Sequence, residues 1–119
     1  MVVPTPGISQ ILAQVTLGTG ATLIYEPPAS PPNLFVRVTA LWMCNSDSAT
    51  RALTLRYGTP SPLTAANNLL GGAPIQANTT YIAFEGMPID VQVGYRFEGF
   101  GSVADKFVVT VWGYVWRGS

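Results

Sequence analysis

The chain has 119 residues, one cysteine, no histidine, and six basic against six acidic side chains, a length that fits one domain with a core needing no disulfide or metal. Only 10 % of the residues are charged, against about 25 % in ordinary soluble domains, and a surface solvated so weakly is expected to be covered by other protein. Zero net charge removes the basic face that phosphate binding needs, and no apolar run approaches the roughly 20 residues of a membrane-spanning helix, so neither nucleic acid nor membrane is expected as a partner.

Residues 1–9, with Pro4, Pro6 and Gly7, are predicted to form an extended arm ahead of a β-domain over 10–119. The stretch 10–17 reads as a strand, although Ile8, Ile11, Leu12 and Val15 also fit one helical face. Ala21 to Tyr25 form a brief strand, and "PPASPP" at 27–32 is a stiff corner that cannot donate to a sheet. A long strand follows over 34–44, with Leu34, Val36, Val38, Ala40, Trp42 and Cys44 on one apolar face. Cys44 there reads as a buried, inert thiol. The opposite face of that strand ends in Leu41 and Met43.

After the turn "NSDSATR", residues 52–57 are expected to return as a hairpin partner of 34–44, burying Leu53, Leu55 and Tyr57. Residues 58–77 read as a long loop with a turn of helix near 63–70. A strand at 79–85 comes next. Strict alternation then predicts Ile89, Val91, Val93, Tyr95 and Phe97 inward, with Asp90, Gln92, Arg96 and Glu98 outward. The last strand covers 106–116. About seven short strands with turns between them indicate an all-β fold, an antiparallel β-sandwich of jelly-roll-like kind.

Little in this chain points to catalysis. Without histidine the commonest general base, zinc ligand and nucleophile partner are missing. Asp90 and Glu98, eight residues apart on one strand face, would lie roughly 27 Å apart, far beyond the roughly 5–9.5 Å of a glycosidase pair. "GTGAT" at 18–22 lacks the lysine of a phosphate loop, and "NSDS" at 45–48 supplies a single carboxylate. "NTT" at 78–80 matches a glycosylation sequon, but the N-terminus lacks the pattern of a secretory signal. The expectation is a non-enzyme with no cofactor, metal or small-molecule substrate, made in a cytoplasm.

"VVTVWGYVWRG" at 108–118 carries the most information. As a strand it turns Val109, Val111, Gly113 and Val115 to one side and Trp112, Tyr114 and Trp116 to the other. The aromatic side has three possible covers: the chain's own N-terminal arm, a sugar, or another protein. Trp and Tyr dominate protein contacts. Leu41 and Met43 would extend such a patch, and the arm residues Val2, Val3, Pro4 and Pro6 would reach a neighbour.

The progression "QVTLGTGATLIYEPPAS", "VRVTALWMCNSDSATRALTLRYG", "PIQANTTYIAFEGMPIDVQVGYRF" and "VTVWGYV" resembles the small all-β structural proteins of tailed bacteriophages and prophages, over roughly residues 14–115. The shared features are a Leu-Tyr-x-x-Pro corner, a strand ending in Cys-Asn, a long polar loop and a final Val-x-Val-x-Gly strand. The resemblance implies a virion protein on the capsid exterior, a decoration or cement protein bridging subunits of the major capsid protein, or one at the neck or tail. It also implies a homotrimer whose arm, Met1 to Gly7, clamps a neighbour and whose strand at 112–116 is a subunit contact. The pattern does not itself specify Trp112 and Trp116, whose assignment rests on physics. A carbohydrate-binding receptor module is the alternative.

Overall fold

The computed structural model describes residues 9–28, 34–59 and 63–117. Among them are eight strands: β1 (Gln10–Thr16), β2 (Thr22–Tyr25), β3 (Leu34–Asn45), β4 (Arg51–Gly58), β5 (Asn68–Ile75), β6 (Thr79–Val91), β7 (Arg96–Gly101) and β8 (Phe107–Arg117). A single 3-10 turn at Ala65–Asn67, capped by Thr64, precedes β5. The strands form two four-stranded sheets, ordered β1-β8-β3-β6 and β2-β7-β4-β5, with every pairing antiparallel. All links but the one from β4 to β5 cross between sheets, and the first and last strands pair. This is the doubly Greek-key arrangement of a jelly roll.

The all-β sandwich read from the sequence is the observed fold, with several local corrections. First, β3 and β4 are not hairpin partners, since the turn after Asn45 carries the chain into the other sheet. Second, the loop expected over 58–77 contains β5, an edge strand that tolerates Pro74 because one side of its ladder is unpaired. Third, the alternation over 89–98 spans two strands. Gly94, at φ +95°, turns the chain after β6, which leaves Val93 exposed and puts Asp90 and Glu98 on different sheets.

The core lies between the sheets. Phe107, Val109, Val111, Val36, Val38, Leu41 and Met43 face Leu53, Leu55, Phe97, Ile24 and Ile75, all nearly or fully buried. Each large side chain there contributes on the order of 1.5–3 kcal/mol. Asn45 is a fully buried polar residue at one end of this layer. Its amide nitrogen lies within 3.2 Å of the carbonyls of Ala49, Ile75 and Gln76, and its side-chain oxygen accepts from the Asp47 amide. That set ties the β3–β4 turn to the β5–β6 turn, and the Asp47–Arg51 ion pair closes it.

Strand β3 changes parity midway. A bulge between Val38 and Ala40 shifts its register against both β6 and β8. Val36 and Val38 point inward before the bulge, and Leu41, Met43 and Asn45 after it. Leu41 and Met43, expected on the outer patch, are therefore core residues with no exposed surface. Trp42 and Cys44 take the outer side instead, so Cys44 is only partly buried.

Gly113 lies opposite Val38 at this bulge, where a Cβ would overlap the Arg37 carbonyl oxygen and crowd Leu12. Only a residue without a side chain lets the bulged backbone lie so close. Gly113→Ala is expected to destabilise the fold by about 2–3 kcal/mol through overpacking, read as a lower urea midpoint with an unchanged slope.

Candidate interaction surface

The outer side of the β1-β8-β3-β6 sheet is built in rows by register. At one end Phe35 lies opposite Trp116. The next row joins Tyr114, Arg37 and Asp90. Ile11, Trp112, Ala40 and Glu85 follow, then Gln14, Thr110, Trp42 and Ile82, then Thr16, Val108, Cys44 and Thr80. In β8 the inward residues Phe107, Val109, Val111 and Gly113 are buried, while the outward Val108, Thr110, Trp112, Tyr114 and Trp116 are only partly covered.

Two aromatic groups occupy this face, with an ion pair between them. Phe35 and Trp116 stack with centroids 5.7 Å apart and planes 18° from parallel. Trp42 and Trp112 meet at 5.3 Å in a tilted contact, with Ile11 and Ile82 exposed beside them. Between the groups Arg37 donates to both carboxylate oxygens of Asp90, at 2.5 and 3.1 Å, and to the Tyr114 hydroxyl at 3.3 Å. Its guanidinium carbon also lies 5.4 Å from the Trp116 ring centroid. The Trp42 indole donates to Glu85 at 2.9 Å. The Trp112 indole nitrogen is buried with no hydrogen-bond partner.

Among the described residues, Arg37, Asp90 and Glu85 supply all the charge in these rows, and Arg37 and Asp90 cancel one another. The opposite outer face differs. There Arg56 sits over Phe100 and bonds Asn68, and Arg96 pairs with the buried Glu98 and lies 4.0 Å from Glu26. Both outer faces thus carry charge, but around the Trp42/Trp112 pair it is reduced to Glu85. A third apolar feature is the open seam between the β5 and β6 edges, about 400 Å³, where Leu69 and Met87 are exposed beside Leu70 and Phe84.

Of the residues singled out in the sequence, Trp112, Tyr114 and Trp116 share the aromatic face. Leu41 and Met43 lie beneath it in the core, and Val2, Val3, Pro4 and Pro6 lie outside the described residues. Sequence reasoning missed Phe35, Arg37 and Trp42. The first two stand on the mixed odd face of β3, and the third is placed outward only by the bulge. No protein-family model, curated protein or solved structure matches this chain.

Hydrogen bonding from Arg37 holds the Asp90 carboxyl below its ordinary value of 3.8, and the same bond raises Arg37 above its own. Asp47 is lowered likewise by Arg51. A carboxylate lowered on folding stabilises the fold fully above its unfolded pKa, and that contribution disappears as pH falls through the folded one. Stability should therefore decline from about pH 4 downward. Asp90→Asn is expected to flatten that decline, measured as the urea midpoint between pH 5 and pH 2.

Proposed function

We propose that this chain is a non-enzymatic structural protein that works by burying the Trp42/Trp112 half of its aromatic outer face against other protein. The observation that carries this reading is the asymmetry of the two outer faces. Trp42, Trp112, Ile11, Ile82 and Val108 form an apolar field on a chain with very little charge, whereas the opposite face keeps Arg56, Arg96 and Glu98. Apolar fields that include tryptophan are typical of the centres of protein interfaces.

The particular assembly we favour is the exterior of a tailed-phage capsid. There the chain acts as a decoration protein, a homotrimer that bridges subunits of the major capsid protein. Two things support this: the sequence resemblance to small all-β phage structural proteins, and the jelly roll, a fold widely used by capsid proteins. Because fold alone does not specify function, the reading rests mainly on the face. Each contact removes apolar surface worth about 25 cal/mol per Å². Binding only to the finished lattice then stabilises that lattice by mass action.

Ile11 and Ile82 are about half exposed, at 52 % and 48 %, so lysine at either position should leave the fold intact. The pair Ile11→Lys and Ile82→Lys would bury unpaired charge in the proposed contact, weakening association by about tenfold or more. Sedimentation velocity and the thermal disruption temperature of bare capsids mixed with the protein measure this. Unaltered behaviour of the double variant, or no association by the wild-type chain with itself or with capsids, would overturn the reading.

A further inference from the structure

We propose that the Phe35/Trp116 end of the aromatic face is a carbohydrate site that binds the ring of a pyranose sugar. This goes beyond the protein-binding reading and does not rest on it, since that reading uses the Trp42/Trp112 half of the face.

A cleft of about 340 Å³ opens there, lined by Phe35 and Trp116 on one side and by Asp90, Gln92 and Val93 on the other. Its size is at the small end of ligand sites, which run from roughly 300 to 1,000 Å³. Phe35, 49 % exposed and backed by its stack on Trp116, offers an apolar platform, while the Arg37 guanidinium lies over the Trp116 ring. The C–H face of a pyranose ring packs on such a platform, while its hydroxyls project around the edge.

The polar groups at the edge suit those hydroxyls. Asp90 uses one lone pair on each oxygen for Arg37, which leaves a second on each to accept from a pair of neighbouring hydroxyls. Gln92 stands on the exposed turn after β6 and presents an amide that both donates and accepts. The ion pair also separates this end from the drier Trp42/Trp112 half. Burying Arg37 and Asp90, now 36 % and 61 % exposed, against a second protein would strip water from both charges. A sugar replaces that water with hydroxyls. The same physics that favours protein over the tryptophan pair therefore favours a hydrated ligand here.

The test is a tryptophan-fluorescence and calorimetric titration of the full chain with maltotriose, cellotriose and chitotriose, beside an array of bacterial O-polysaccharides. Saturable binding is expected for at least one of them. Phe35→Ala and Trp116→Ala should each weaken it about tenfold, a loss of about 1.4 kcal/mol. Gln92→Ala, an exposed turn substitution that leaves the core intact, should weaken it about fivefold through the lost hydrogen bond. Ile11→Lys with Ile82→Lys should leave sugar binding unchanged, which keeps this site distinguishable from the protein contact. Absence of saturable binding across the whole set overturns the proposal, as does binding that survives both Phe35→Ala and Gln92→Ala.

Discussion

Side-chain direction in a strand has only two values, and one inserted residue exchanges them. In β3 that residue lies at Thr39, between Val38 and Ala40. Without the bulge Trp42 would point into the core, and Leu41 and Met43 would stand on the outer face. With it, the aliphatic pair closes the core and the indole joins Trp112 outside. Gly113 makes the bulge possible by giving up its side chain where the two backbones approach. The aromatic face is therefore a consequence of a local backbone irregularity as much as of composition.

From there the two sides of the molecule diverge. On the β2-β7-β4-β5 sheet, Arg96 pairs at short range with the buried Glu98, and the half-exposed Glu26 lies 4.0 Å from the same guanidinium. On the other sheet, the rows from Phe35/Trp116 to Cys44/Thr80 carry charge, among the described side chains, only at Glu85 and at the Arg37–Asp90 pair, which divides two aromatic clusters. That division gives the face two characters. One half is dry enough that exposure to water costs free energy, and the other keeps a hydrated ion pair beside a stacked ring platform. The proposed protein contact and the proposed sugar contact make opposite demands on water and use different residues of one sheet.

The strands with unbroken alternation were legible in the sequence. The inward valines of β8 set the direction of Trp112, Tyr114 and Trp116, because β8 itself carries no inserted residue between Phe107 and Trp116. The all-β class followed from the same periodicity. Three things were hidden. The β3 bulge leaves no mark in a run of apolar residues, where either parity looks acceptable. Strand β5, "NLLGGAPI", carries two glycines and a proline, which read as a loop unless the edge position is known. The turn at Gly94 falls inside a perfect alternation, and only its positive φ reveals it. Phe35, Arg37 and Asp90 were visible as residues but not as neighbours, since β3, β6 and β8 meet only through the crossed order of the sheet.

The proposed function requires another molecule to seal the Trp42/Trp112 field. Hydroxyl-radical footprinting read by mass spectrometry, on the dilute subunit and on the assembled particle, tests it directly. Oxidation of Trp42, Trp112 and Ile82 should fall several-fold on assembly while Phe100 and Leu23, on the opposite face, keep their labelling. Equal oxidation of the tryptophan pair in both states would contradict it.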